Sequence, residues 1–309
     1  MDPDLIYHHT LWNDPIYQKT ALIVLSIIFV SGLFVFIFRR KTHYFISAWA
    51  SIKSWLVAAP LLFIVFGLPA PAPLLVLMFT AIYGAKAFFK IIGMFHRSYF
   101  VLTCYAGIVA LAVCSYYGRA DIYNVVPMAV LGISCLVPLV RNNYKRMIQY
   151  ISLTLLGFIF LGWSFMHLGL ILNLPNGMYQ ILYLIVLTEF CDNTNIAIAR
   201  YFKQGVLFSN LDHKRTIVST VISVALTLIL AGAMRQLLPD QSDKYWYTAG
   251  LIASLGGALG DLVMTVVRRD AGVRIVGPFI LGRGDFLQRM DRLIFVAPIY
   301  YYIMLYFLK

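Results

Sequence analysis

The sequence predicts an all-α fold: a polytopic integral membrane helical bundle of about 8–10 transmembrane helices with its N-terminus outside. Three observations carry that prediction. The 309-residue chain is 61% hydrophobic and only 12% charged, with mean hydropathy +0.80, whereas a soluble domain is about a quarter charged. Apolar runs near the roughly 17–25 residues needed to span a bilayer recur from one end of the chain to the other. The basic residues between those runs fall mostly on one side.

The runs are 20–38, 55–68, 74–89, 100–117, 124–140, 149–170, 177–190, 216–234, 247–267 and 291–308. The first follows Asp2, Asp4 and Asp14 rather than a basic leader, so it reads as a true span and not as a cleaved signal. Arg39-Arg40-Lys41 stops it on the inner side. Residues 43–55 mix aromatic and polar groups (His43, Tyr44, Trp49, Lys53, Trp55) and read either as an interfacial segment or as a loop feeding the second span. Pro69, Pro71 and Pro73 forbid a continuous helix and mark an outer turn. Arg141, Lys145 and Arg146 form a further inner loop. The short runs 55–68 and 177–190 either extend into their neighbours or re-enter the membrane. The whole is one membrane domain, 1–309, with scaffold helices over 1–176 and a catalytic-type region over 177–309.

With the N-terminus outside, the outer face receives Lys19, Arg119, Arg235, Lys244 and Lys309, and the other basic residues fall at inner ends and loops. This positive-inside pattern sets the orientation. It also reassigns the net charge of +12 from nucleic acid to anionic lipid headgroups at the inner face. Cys104, Cys114, Cys135 and Cys191 are scattered through apolar runs, and the six histidines form no cluster. Zinc, haem, iron–sulfur and disulfide chemistry are therefore not expected.

Charge next to hydrocarbon is costly and usually marks a site. Two constellations stand out. The first runs from Glu189, the chain's only glutamate, through Asp192, Asn193, Thr194 and Asn195 to Arg200 and Lys203, then Asp212, His213, Lys214, Arg215 and Thr216. On a helix Asp192, Asn195 and Ala199 share a face with Arg200 close by. A carboxylate, an amide and a guanidinium on one stripe suit a metal–nucleotide complex.

The second constellation begins at Ser254-Leu255-Gly256-Gly257-Ala258-Leu259-Gly260, small residues at the spacing of close helix–helix packing. Asp261 follows in the same apolar run and needs a polar cavity and a cation. Arg268, Arg269 and Arg274 supply planar forks for phosphate. Gly282-Arg283-Gly284-Asp285 is a charged turn whose glycines let backbone amides approach an anion. Arg289, Asp291 and Arg292 close the block. Neither a serine–histidine–acid arrangement nor a Walker-type loop occurs. Metal-assisted transfer at phosphorus, where positioning and charge neutralisation do most of the catalysis, suits these residues.

In this order the two constellations resemble the CDP-diacylglycerol synthase (phosphatidate cytidylyltransferase) family. Its signature reads roughly S-x-x-K-R-x-x-x-x-K-D, P-G-H-G-G and D-R-x-D, with G-D upstream. Gly260-Asp261, Thr265, Arg268-Arg269, Arg274, Leu281-Gly282-Arg283-Gly284-Asp285 and Gln288-Arg289-Met290-Asp291 match it in spacing. Upstream, Asp192, Arg200-Tyr201-Phe202 and Arg215-Thr216 look like the family's aspartate-led segment and K-T pair. Two family aspartates are replaced, by Ile275 and Gln288, and Asp285 is an acid where the family has glycine.

The resemblance implies an enzyme that makes CDP-diacylglycerol and pyrophosphate from CTP and phosphatidate or a related lipid phosphate. It implies a bacterial inner (cytoplasmic) membrane with the active face cytosolic. Asp261, Arg268, Arg269 and Asp291 would be catalytic. Asp192, Asn195, Arg200, Arg215, Thr216, Thr265, Arg274, Arg283 and Arg289 would bind substrate. Asp261 with Asp285 would hold Mg²⁺, with room for a monovalent cation beside it. Expected partners are the two substrates, membrane lipids and, from the small-residue stretch 254–260, a second copy in a homodimer; nucleic acid is not expected. Ile275 and Gln288 motivate an alternative, an impaired paralogue that binds anionic lipid or a partner without turnover. A transporter is disfavoured, because the charges gather at one face rather than along a pathway.

Overall fold

The computed structural model describes residues 10–38, 43–142, 145–202, 205–208, 212–272 and 290–308. They form ten apolar helices, as the sequence predicts: α1 (Pro15–Phe38), α2 (His43–Phe66), α3 (Ala72–Ile91), α4 (Ser98–Tyr116), α5 (Ala120–Val140), α6 (Met147–Ile171), α7 (Gly177–Ala199), α8 (Ile217–Ala233), α9 (Asp243–Asp270) and α10 (Leu293–Phe307). Seven of them, α1, α3, α4, α5, α6, α7 and α9, are long and apolar enough to cross a membrane, and the protein is an integral membrane protein. In α2 the qualifying apolar stretch is Ile52–Phe66; α8 and α10 are also short. A two-stranded antiparallel hairpin, β1 (Val206–Phe208) and β2 (Asp212–Thr216), is the one addition to the all-α expectation among the described residues.

One stretch differs from the sequence reading, and one open alternative is decided. Residues 43–55 are neither loop nor a separate interfacial piece; they are the first half of α2. Of the two alternatives for the run 177–190 it is extension that holds: α7 continues to Ala199 and takes Asp192 and Asn195 into its buried face.

The chain divides into two compact units, Met1–Val76 with Ile275–Phe286, and Leu77–Arg274 with Leu287–Lys309. In the first, Tyr17 on α1 is fully buried and donates from its hydroxyl to the Phe63 carbonyl of α2. Leu22, Ile27, Phe29 and Val30 on α1 are exposed, as positions facing hydrocarbon are.

The second unit holds the described members of the polar constellations, among them Asp192, Arg215, Asp261, Arg268 and Asp291. Its core is built from Phe88, Phe89, Ile108, Leu111, Phe158, Leu161, Met166, Tyr183 and Tyr300, all fully buried. Helix α7 packs along α8, and the Tyr183 hydroxyl donates to the Ala231 carbonyl at 2.8 Å. The Tyr300 hydroxyl of α10 donates to Gln180 Oε1 of α7 at 2.9 Å. Helices α6 and α9 each contain a π-helical stretch, Phe158–Ser164 and Ile252–Gly256. The second of these resets the helical register just ahead of Gly257–Asp270, a placement frequent at functional sites.

Close approach of α9 to the segment before α10 depends on glycine. A Cβ on Gly260 would lie 2.0 Å from the Asp291 carbonyl oxygen, and one on Gly256 would lie 3.2 Å from Val296 Cγ2. Gly256 and Gly260 of the small-residue stretch are therefore covered within the chain by α10 and the residues preceding it. That contact brings Asp261 beside Asp291.

Candidate active site

The two polar constellations, separate in sequence, meet in one buried ion network. Asp192 comes from the inner face of α7, and Arg215 from the end of β2, just before α8. Asp261 and Arg268 lie two turns apart on α9, and Asp291 and Arg292 precede α10. The hairpin aims Arg215 because β2 runs directly into the α8 cap. There Thr216 Oγ1 accepts from the Ser219 amide while Ser219 Oγ accepts from the Thr216 amide, which fixes the entry of the helix.

Arg215 Nη2 donates to Asp192 Oδ1 at 3.1 Å and to Asp261 Oδ2 at 2.9 Å. Arg292 Nη2 lies 3.1 Å from Asp192 Oδ2, and its Nη1 lies 2.7 Å from Glu189 Oε1. The latter is an ion pair whose geometry departs from a directed hydrogen bond. Arg268 Nη1 donates to Asp291 Oδ2 at 2.6 Å, while its Nη2 lies 3.9 Å from Asp261 Oδ1. The result is an unbroken relay: Glu189, Arg292, Asp192, Arg215, Asp261, Arg268, Asp291.

Every member of the relay is at most 16% exposed at its side chain, and Asp291 is fully buried. Desolvating an ion this far costs several kcal/mol, so the network holds only because each charge faces a partner. With all groups ionised, four carboxylates oppose three guanidiniums and leave one negative charge in excess.

Two carboxylate oxygens stand apart. Asp261 Oδ1 and Asp291 Oδ1 are buried and accept no hydrogen bond among the described residues. Both are hard oxygen donors, on two acids that Arg268 approaches, at 3.9 Å from Asp261 Oδ1 and 2.6 Å from Asp291 Oδ2. No group of three or more His, Cys, Asp or Glu is assembled as a closed metal cage among the described residues. An open pair of carboxylate oxygens is the donor set Mg²⁺ uses when substrate phosphates complete its shell.

The residues expected to form the site are distributed as follows. Asp192, Arg215, Asp261, Arg268 and Asp291 are brought together by the network. Thr265 is half-buried one turn beyond Asp261 on the same helix. Arg269 is exposed beside Arg268, and Arg200 caps the C-terminus of α7, half-buried. Asn195 makes helix-docking contacts, its Oδ1 accepting from Ser219 Oγ at 3.0 Å and its Nδ2 donating to Thr220 and Ser223 at 3.3 Å each, while Thr216 is the N-cap of α8. Arg274, Arg283, Asp285 and Arg289, with Ile275 and Gln288, lie outside the described residues.

The sequence reading assigned no role to Arg292, and it noted Glu189 without placing it at the site. The signal for Glu189 was its position, a lone glutamate closing an apolar run. For Arg292 no signal existed beyond membership of a charged block, since its partners sit on another helix.

A chain with this membrane bundle and this buried acid–arginine site belongs to a recognisable class. A sequence model of the cytidylyltransferase family matches residues 49–307, and the chain belongs to that family. Among curated proteins it is similar to the uncharacterized protein YnbB of Escherichia coli (strain K12), 28% identical over 158 residues, which are 48% of this chain and 53% of that protein. It is also similar to the phosphatidate cytidylyltransferase of Bacillus subtilis (strain 168), 26% identical over 182 residues, 58% of this chain and 66% of that protein. The phosphatidate cytidylyltransferase of Staphylococcus aureus (strain COL) is 26% identical over 178 residues, 57% of this chain and 66% of that protein. The matches thus span between half and two thirds of the length of these relatives.

Proposed function

We propose that the protein transfers a cytidylyl group from CTP to phosphatidate or a related lipid phosphate, at the cytosolic face of a bacterial inner membrane. The observation that carries this reading is the shared contact of Arg215 with Asp192 and Asp261, which joins the two constellations into one phosphate-handling centre. The family membership and the names of the bacterial relatives supply the nucleotide and lipid classes. The positive-inside distribution supports the orientation, with the N-terminus outside.

In the reaction an oxygen of the lipid phosphate attacks the α-phosphorus of CTP. The bond from that phosphorus to the β-phosphate bridging oxygen breaks, and pyrophosphate leaves with its electron pair. Phosphate is already the reactive group, so the protein's task is positioning and charge neutralisation. Arg268 and Arg215 are the guanidiniums within the network closest to the open carboxylates, and Arg269 adds an exposed fork beside them. Arg200, Arg274, Arg283 and Arg289 are assigned to the same phosphates by the family resemblance. Asp192 has both oxygens engaged by arginine, so its role is to hold Arg215 and Arg292 in place.

Asp261 and Asp291 would hold Mg²⁺ through their open Oδ1 atoms, and Asp285 is a further candidate from the sequence. When bound, the ion offsets negative charge on the triphosphate; the same oxygens admit a monovalent cation beside it. A dry, walled site strengthens each of these interactions.

The test is turnover of purified protein in nanodiscs with CTP, phosphatidate and Mg²⁺, following pyrophosphate and lipid product. Product supports the enzyme. A second reading rests on Ile275 and Gln288, which replace two family acids: an impaired paralogue that binds anionic lipid without turnover. Absence of product across nucleotides and lipid phosphates, with retained binding of anionic vesicles, would favour it.

A further inference from the structure

Arg268 occupies an unusual place for a residue assigned to substrate phosphate. Its side chain is largely buried, and its two terminal nitrogens reach toward different acids, Nη1 to Asp291 at 2.6 Å and Nη2 toward Asp261 at 3.9 Å. Asp261 Oδ1, the atom that Nη2 faces at 3.9 Å, and Asp291 Oδ1 accept no hydrogen bond among the described residues, and both are named above as the cation's donors. A guanidinium between two buried carboxylates performs the electrostatic service of a cation between two carboxylates. Lysine, which the resembled signature carries at this position, presents a single point charge; arginine's fork can address both acids at once.

The geometry points to Arg268 as a built-in stand-in for the divalent cation. Without metal, the guanidinium neutralises Asp291, adds to Arg215 in offsetting Asp261, and holds the two acids as a pair. When a divalent cation takes the Oδ1 atoms, the charge between the acids becomes redundant and Arg268 is displaced toward the triphosphate. The two partners of the exchange, metal and nucleotide phosphate, then favour one another's binding, because the arginine released by one is received by the other. This inference rests on the metal-assisted reading above and assigns Arg268 a second role within it.

The consequence separates this role from simple phosphate binding. Removing a competitor from the metal site strengthens metal binding in the absence of nucleotide, even as turnover falls. Mn²⁺ binding to the full-length protein in detergent, read by electron paramagnetic resonance with and without CTP, tests it. R268Q should bind Mn²⁺ alone about tenfold more tightly than the wild type, within the usual range of two-ligand coupling. It should also lose most of the enhancement that CTP gives the wild type. R268K keeps the charge but cannot bridge both acids, so it should fall between the two and decides the matter if R268Q does not fold. D261N should abolish Mn²⁺ binding in every background.

Mn²⁺ binding by R268Q and R268K that is no tighter than the wild type's, with a CTP-dependent Mn²⁺ site present in the wild type, would overturn the stand-in while leaving the cytidylyltransferase reading intact. No Mn²⁺ bound by the wild type even with CTP would overturn the metal assignment itself, and the stand-in with it.

Discussion

Asp192 on α7 and Asp261 on α9 share a single nitrogen: Arg215 Nη2 stands 3.1 Å from one carboxylate and 2.9 Å from the other. Two acids that would otherwise repel across a buried gap are held together by one guanidinium arriving from a hairpin. The arrangement explains why the hairpin belongs to the site although it contributes few residues. It also predicts that Arg215 is the residue whose loss is felt at both acids together.

Arg215→Ala should therefore destabilise the protein and abolish turnover. It strips a partner from two buried carboxylates at once, and breaking a buried pair costs about 3–5 kcal/mol. Thermal unfolding in detergent should show a large loss, and Asp192→Asn on top of Arg215→Ala should restore part of it by removing one of the stranded charges. A wild-type melting curve for Arg215→Ala would mean that the contact does not hold the network together.

Asp261→Asn keeps the shape of the side chain and removes the charge that faces Arg215 and Arg268. Metal-dependent turnover should vanish, and CTP binding should lose its dependence on Mg²⁺. Chelation of the wild type with EDTA should reproduce the same loss reversibly. Unchanged turnover in Asp261→Asn would remove Asp261 from the metal site.

How much of this was legible in the sequence follows from the cost of charge in apolar surroundings. Glu189, Asp192 and Asp261 each interrupt an apolar run, so each announced itself before any fold was known. Their pairing did not, because Arg292 meets Glu189 and Asp192 only through the packing of the segment before α10 against α7. The course of α7 was legible in part: the helical spacing of Asp192, Asn195 and Ala199 anticipates a helix that runs on past Glu189 to Ala199, while the pairing that lets its charges sit inside the bundle does not show in the spacing. Asn195 and Thr216 are expected to bind substrate from their neighbours alone; in the fold Asn195 bonds across to α8 and Thr216 caps that helix, contacts that depend on packing and on local chain direction. The small-residue stretch was read correctly as packing, but its partner lies within the chain at Asp291 and Val296.

Thr216→Ala distinguishes a capping role from a substrate contact. Loss of an N-cap costs about 1 kcal/mol, so the melting temperature should fall modestly. The KM for CTP should stay within about twofold of wild type, since under 1 kcal/mol of binding energy would have changed. A raised KM with unchanged stability would return Thr216 to the substrate site.

Glycines 257 and 260 lie on the same helix, one turn apart, and should respond differently. A Cβ at Gly257 meets Thr188 Cγ2 at 3.6 Å and Arg292 Cβ at 3.9 Å, ordinary contacts. A Cβ at Gly260 would sit 2.0 Å from the Asp291 carbonyl oxygen, which is backbone and cannot swing aside. Gly257→Ala should melt within a few degrees of wild type and keep its turnover. Gly260→Ala must push Asp291 away from Asp261, at a cost of about 3 kcal/mol, and should lose both stability and metal-dependent activity. Equal behaviour of the two variants would show that the α9 contact with Asp291 is not what positions the acids.

The pair Glu189–Arg292 closes the relay at the end away from the open oxygens and offers the sharpest separation of structure from chemistry. Arg292 is buried and touches Asp192, so Arg292→Gln leaves two acids short of a partner, whereas Glu189→Gln leaves only Arg292. A double-mutant cycle on unfolding should give a coupling of about 1–3 kcal/mol, the range for contacting residues in one ionic network. Glu189→Gln alone should keep the KM for CTP and lower kcat by about tenfold, because Asp192 and Arg215 would be held less firmly while no phosphate contact is lost. Additive single effects would detach Glu189 from the network, and a raised KM with unchanged kcat would make it a binding residue instead.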